Sequence, residues 1–370
     1  MIDFTKLTGI EHDGKVVTQI EDSAGRVLWA VQSNEPVVLQ VEKQSITSYA
    51  GETSYSDNCV LLDIYPKKSN SEIKVTYGGL TKTLTFSGTN AMQVYFGTFN
   101  GVSDSVATPA SGTLTIDGAC DSFACGVYQN GSKTTNKGYC SCITAVDEFG
   151  GVTVIYWYAF YNCKKLTLTE LPSGITSIGS YAFYECTNLA LTSLPSGITS
   201  IGDYAFYNCY RMELTELPRG ITSVPNYAFM HCSKLKNITI HGGVTSIGNK
   251  AFAYCEKLES VIIPEGVESI GDEAFYMSFD QYMGPMVSLF EVVLPSTIKS
   301  IGHEAFNVSL SGGSSSGCYL EKLTILASTP PTVSETGFEA QTIIVPKGCG
   351  EAYKAAEGWS AYADRIMEVS

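Results

Sequence analysis

Six cysteines recur at one spacing: Cys140, Cys163, Cys186, Cys209, Cys232 and Cys255 stand 23 residues apart. A file of thiols at constant spacing has two chemical readings. One is a metal or redox relay, which needs thiolates and convergent ligands. The other is a small, polarisable side chain buried at the same turn of every repeat, because free Cys is among the most buried residue types. Ser278 and Ser309 stand in the cysteine's place in the last two repeats. The position therefore asks for volume rather than thiol chemistry, and the file reads as a structural ladder. Six further cysteines are scattered at 59, 120, 125, 142, 318 and 349. Cys120, Cys125, Cys140 and Cys142 cluster, but C-x-C and C-x4-C are not the usual C-x2-C knuckles of zinc sites. No metal is expected, and without a signal peptide reduced thiols are the default.

Nucleophilic chemistry fares no better. The four histidines are His12, His231, His241 and His303. His231 precedes ladder Cys232, yet its equivalents Asn162, Glu185, Asn208 and Tyr254 form an exposed, tolerant column. A Cys–His pair would have to converge with a third orienting group, whereas neighbours in a strand point to opposite faces. No Gly-rich phosphate loop, paired-carboxylate motif or HExxH is present. No catalytic residue and no cofactor are expected. The tyrosines are a better lead. Tyr158, Tyr181, Tyr204 and Tyr227 precede successive Ala-Phe pairs, and Tyr161, Tyr184 and Tyr207 follow them. Tyr offers a large face and a hydroxyl at low side-chain entropy, which suits recognition of sugars or proteins. These seven, with Tyr282, are the candidate ligand-binding residues. The competing reading is that stacked Tyr files only stabilise adjacent coils, and repeat duplication also yields identical residues.

The element that must position these residues is the repeat itself. Leu166 to Phe183 reads LTLTELPSGITSIGSYAF, and copies run from about 140 to 306. Ala-Phe pairs at 159, 182, 205, 228, 251, 274 and 305 give the register, the last step being 31 residues because Ser278 to Ser288 is inserted. Apolar residues recur before the Pro (Leu171, Leu194, Leu217), three after it (Ile175, Ile198, Ile221) and six after it (Ile178, Ile201, Val224). Short alternating segments bounded by Pro, Gly and Ser predict strands and turns. One coil cannot bury its inward residues alone, so equivalent residues must stack along an axis. Leu168, Leu191 and Leu214 at −4 give way to Ile238, Val261 and Val292 at −3, which predicts a different curvature for the first three coils.

The LP-x-G-ITSIG-x-YAF-xx-C pattern resembles the BspA-type leucine-rich repeat of gut and oral bacteria and their phages, over about residues 140–365. The ending fits as well: Thr342 to Pro346, then Glu351-Ala352-Tyr353-Lys354, Trp359 and Ile366, is similar to that family's C-terminal cap. The resemblance implies adhesion or ligand binding at an exposed surface, without catalysis.

Composition agrees with an exposed, β-rich protein: 16% of residues are charged and the formal net charge is −14. No basic stripe is expected to meet phosphates, so nucleic acid and anionic membranes are not expected partners. No run of 18 or more apolar residues occurs, and Met1 to Glu11 does not read as a secretory signal. The expected fold is mainly β, with a leader β-hairpin (1–34) around Ser23-Ala24-Gly25 and an immunoglobulin-like antiparallel domain (35–89). A β module forming the solenoid's N-terminal cap (90–139), the repeats (140–328) and a C-terminal cap with a short helix (329–370) follow. Expected strands are 37–42, 59–65, 72–77, 80–86, 93–99, 111–117 and 124–129, with Gly78-Gly79 as a hairpin turn. Residues 140–158 read as a degenerate first repeat. The insertion carries Phe279, Tyr282, Met283 and Met286, either as a binding loop or folded back on the stack. Ser309 to Gly317 reads as a flexible connection. The functional expectation is a non-enzymatic adhesin for a cell-surface protein or glycan, displayed on a virion or bacterial envelope, with the N-terminal region available to other virion proteins. The alternative is a structural spacer in a phage particle with no ligand of its own.

Overall fold

The computed structural model describes residues 11–12, 15–16, 19–21, 27–30, 36–50, 53–100, 102–118, 120–129, 137–139, 141–280, 291–311, 320–334 and 340–369. In the leader, Gln19–Glu21 pairs antiparallel with Val27–Ala30, as a hairpin requires. The expected turn at 23–25 lies outside the described residues.

Two antiparallel sheets follow. The first runs in the order Ile143–Glu148, Val37–Glu42, Ser111–Gly118, Ser71–Tyr77, Leu80–Phe86. Strict alternation buries Val37, Leu39 and Val41 on one strand and Ile73, Val75 and Tyr77 on another. Gly78 and Gly79 adopt φ +58° and +82°, the left-handed pair a two-residue hairpin turn needs. The second sheet is built on the long Thr53–Pro66 strand, which pairs with Met92–Phe99, Cys120–Cys125 and Gln44–Ala50. Tyr77 of one sheet meets Phe96 of the other edge-on at 5.7 Å, so the sheets share one core. The expected division at 89/90 does not run through this core. Met92–Phe99 pairs along Thr53–Pro66, and Ser111–Gly118 inserts between Val37–Glu42 and Ser71–Tyr77. Neither half closes a two-faced core alone. Ile143–Glu148, expected in a degenerate first repeat, is instead an edge strand on Val37–Glu42.

Beyond it the chain winds into parallel coils. Inward residues stack as ladders: the Phe rings from Phe160 to Phe306 lie nearly parallel at steps of 4.9 to 5.4 Å. Each coil contributes a two-residue strand ending at Ile155, Ile178, Ile201, Val224, Ile247, Ile270 and Ile301. The next residue is Gly179, Gly202, Gly248, Gly271 or Gly302, whose amide donates to the preceding coil's strand carbonyl at 2.8 Å in every case. A Cβ on Gly202 would lie 2.3 Å from the Ser180 amide nitrogen, so the coils approach too closely for any side chain. Pro225 holds this place in one coil. It has no N–H to donate, and there the parallel strip divides into Val154–Ile201 and Ser223–Val333 portions. A second parallel strip starts only at Asn237–Thr239, continues with Ser260–Ile262, and has a later portion from Glu291–Leu294 to Ile366–Glu368. The third coil meets this strip through a single parallel bridge, Glu216 to Thr239.

Both ends are closed by borrowed side chains. At the N-terminal end Phe123 packs edge-on against Phe160 at 5.6 Å, and the Cys125 thiol lies 3.5 Å from that of Cys163. The Cys125 amide donates to Ala159 O and the Ser122 hydroxyl to Val154 O. One sandwich strand thus counterfeits the next coil. At the other end the Gly350–Ala355 helix and a turn of 3-10 helix at Ser360–Tyr362 bring in fully buried Tyr353 and Trp359. Tyr353 OH donates to Ala327 O and Trp359 Nε1 to Pro331 O, both at 2.7 Å. Among the described residues no helix is long and apolar enough to cross a membrane.

Candidate functional site: an aromatic face on the solenoid

The cysteine ladder is packing, down to its hydrogen bonds. Cys186, Cys209, Cys232 and Cys255 each donate a thiol to the carbonyl of the Phe 26 residues earlier, at 3.0 to 3.3 Å. Burial pushes the Cys186, Cys209 and Cys232 thiols well up and that of Cys255 to about 12, away from thiolate chemistry. Cys140 and the side chain of Ser309 lie outside the described residues; next to Cys163 stands Cys125. Cys120 and Cys142 are buried with separate backbone partners, Ser122 O and Leu61 O.

The tyrosines do converge. Tyr158, Tyr181, Tyr204 and Tyr227 stack at 5.1, 4.8 and 4.3 Å, and Tyr161, Tyr184 and Tyr207 at 5.0 and 4.7 Å. Tilted contacts of 5.5 to 5.9 Å join the two files within each coil. All seven rings are half-buried. Tyr282 lies outside the described residues.

The first file occupies a strained backbone. Tyr158, Tyr181, Tyr204 and Tyr227 have φ between 57° and 60°, left-handed for a bulky side chain. Such a conformation costs of order 1–2 kcal/mol. Each is held by its amide, which donates to the next coil (Tyr181 to Asp203 O at 3.0 Å, Tyr204 to Asn226 O at 3.0 Å). The ring stack adds about 0.5–1.5 kcal/mol per pair, and Lys250, Glu273 and Glu304 hold the same turn in later coils at φ 49° to 52° without a tyrosine ring. A margin of polar residues fixes the same turn: the amides of Asn226, Asn249, Asp272 and His303 donate to the side chains of Asp203, Asn226, Asn249 and Asp272 at 2.8 to 3.0 Å.

Because the rings stack on one another, the files present edges and hydroxyls rather than open faces. Burial first, with neighbouring tyrosines and acids adding, pushes Tyr184 and Tyr204 up to about 12. These hydroxyls are neutral donors and acceptors over the whole physiological range.

The aromatic surface also extends beyond the expected N-terminal half. Met230 takes the next place in the second file and is buried, and His231 replaces it at the surface. His231 meets Tyr207 edge-on at 5.8 Å and stacks on Tyr254 at 4.5 Å, and Tyr254 meets Tyr276. The His231 column is therefore half-buried and left-handed rather than freely exposed. Burial lowers the imidazole's pKa, leaving it neutral. Two open rings border the strip. Trp157, 57% exposed, precedes the first file, and Tyr210, 42% exposed, lies beside Tyr207. Sequence reasoning passed over both. The signal was there: Trp157 stands in a column otherwise Ser180, Asp203, Asn226, Asn249, Asp272 and His303, and Tyr210 in one of Lys164, Thr187, Ser233 and Glu256.

Short parallel coils with one Phe and one Cys per turn define a leucine-rich-repeat solenoid. Residues 153–281 match the BspA type leucine rich repeat region in 6 copies, and this part of the chain is a repeat region of that type. Similar solved structures include a leucine-rich repeat protein from Bacteroides ovatus (20% identity, TM-score 0.39, 68% of this chain and 71% of that one). Others are a leucine rich cell surface protein from Faecalibacterium prausnitzii (19%, 0.36, 59% and 83%) and a leucine-rich repeat protein from T. pallidum (24%, 0.33, 51% and 86%). No curated protein matches.

Proposed function

We propose that this chain is a non-enzymatic recognition protein whose tyrosine face binds a cell-surface glycan or protein. The observation that carries this reading is the pair of open rings, Trp157 and Tyr210, on the margins of a half-buried aromatic strip. Both rings stay largely exposed in otherwise polar columns, Trp157 even though its edge meets Tyr156 at 6.3 Å, and open rings beside a row of hydroxyls suit a sugar's apolar face and its OH groups. The repeat type supports an interaction or adhesion role, and the ladder's protonated, buried thiols offer no nucleophile. Display on a bacterial envelope or a virion fits such a role equally. Neighbouring export or tail genes would separate the two.

The test is binding of the full chain to whole gut-bacterial cells and arrayed glycans. Trp157→Ala with Tyr210→Ala is expected to weaken binding at least about tenfold, the loss of two ring contacts, with unchanged circular dichroism. Unchanged binding sinks the assignment and leaves the solenoid as a spacer.

A further inference from the structure

Next to the second tyrosine file the charge of this acidic chain reverses. Two residues after successive ladder cysteines stand Lys165, Asn188, Arg211, Lys234 and Lys257. The linear sequence scatters these cations among acids, and only coil stacking gathers them into the basic stripe that composition gave no reason to expect. Lys165 is already engaged by Glu42 at 2.6 Å. Lys234, Lys236 and Lys257 instead line a groove with Glu213, Leu214, Thr215 and Asn237. Glu213 accepts a bond from Lys234 at 2.6 Å. Its carboxyl is held below the usual range by the hydrogen bond and charge of Lys234 first, with the charges of Lys236 and Lys257 adding. One carboxylate among three lysines leaves the lining positive.

We propose that this groove binds an acidic saccharide carrying carboxylate or sulfate groups on its rings, and that such a glycan is the ligand class of the adjoining aromatic face. The inference rests on reading that face as a recognition surface. Tyr210 connects the two. It lies near Glu185 and Tyr207 of the strip and near Lys164 and Glu256, and Arg211 of the cation column follows it directly.

Spacing selects the ligand. The Phe rings record coil steps of 4.9 to 5.4 Å, so cations in one column recur at that interval. A pyranose linked into a chain advances by a similar step. An extended acidic peptide places same-face carboxylates about 6.6 Å apart, out of register with that step, and the net charge of −14 repels DNA at long range. Lysine ammoniums would take the acid groups through charge-assisted bonds. Thr215 and Asn237 supply neutral partners for sugar hydroxyls.

The experiment titrates the full chain with a sulfated glycosaminoglycan fragment, an oligogalacturonate, a neutral cello-oligosaccharide, poly-glutamate and duplex DNA. Lys236→Glu with Lys257→Glu, both on exposed side chains, is expected to weaken acidic-sugar binding about tenfold or more and leave neutral-sugar binding unchanged. Added salt is expected to weaken only the acidic-sugar arm. Equal affinity of the double variant for the acidic sugars overturns the proposal, as does tighter binding of poly-glutamate or DNA. Binding of neutral sugars alone, sensitive to Trp157→Ala, overturns the acidic ligand while the aromatic face stands. Loss of acidic binding in the lysine variant, with no effect of Trp157→Ala and Tyr210→Ala, overturns the aromatic reading and keeps the groove.

Discussion

Cys186, Cys209, Cys232 and Cys255 each span one coil step with a single thiol bond, and this makes the position testable. In Cys209→Ser the shorter hydroxyl still reaches toward Phe183 O, now 3.2 Å from the thiol, whereas Cys209→Ala leaves that buried carbonyl without its partner. The alanine variant is expected to lose about 1–3 kcal/mol and the serine variant less, read as thermal midpoints. Cysteine is kept for its bulk and softness, as Ser278 and Ser309 in the same register already indicated; they pair across the Met277–Asp280 and Val308–Ser311 strands. The tyrosines set a pH limit. Tyr184 and Tyr204 titrate near 12 in the fold against 10.0 for the ordinary group. A raised folded pKa stabilises the fold in full below pH 10, and that stability drains away as pH rises through 10 toward 12. The buried thiols, raised from 9.0, act in the same direction. Stability is therefore expected to hold through neutral pH and to fall in the alkaline range. Absorbance at 295 nm should show a late class of tyrosines ionising together with unfolding; ionisation near 10 with no unfolding would contradict the stacked files.

At the scale of the coil, the glycine after each short strand separates tight from loose positions. Gly202→Ala puts a Cβ 2.3 Å from backbone and is expected to cost about 1–3 kcal/mol, whereas Gly174→Ala meets nothing within 4 Å and is expected to change stability by less than about 0.5 kcal/mol. Equal thermal midpoints for the two variants would refute the close approach. The coil was legible in the sequence because its ladders repeat every 23 residues, and strands such as Val37–Glu42 because their faces alternate. What stayed hidden depends on tertiary docking. Cys125 joins the ladder 38 residues before Cys163, a spacing no repeat dictates, because a sandwich strand is laid across the open coil. The break at Pro225 was visible as a residue but not as an effect, since a missing amide matters only once the neighbouring carbonyl is known. The lysine groove was hidden in the same way: its members are dispersed in the chain and adjacent only across coils.

For the whole molecule, the sandwich and the solenoid share a core rather than a linker. Phe123, Cys125 and Ser122 lie against the first coil, Tyr65 stacks on Tyr156 at 4.2 Å, and Lys165 reaches Glu42. Removing residues 1–138 would strip that cover from the first coil. The truncated solenoid is therefore expected to expose apolar surface and bind a dye such as ANS, while the full chain does not. Dye-negative, folded 139–370 would show that the cap is dispensable. The inter-coil amide bonds point along the stacking axis, and at one step, between Ile201 and Val224, Pro225 withholds one of them. A tether pulled end to end would load those bonds in series, so the coils should peel away singly instead of shearing together. Under tension, rupture is expected to begin at Pro225, a fuse lying inside the surface proposed here for recognition.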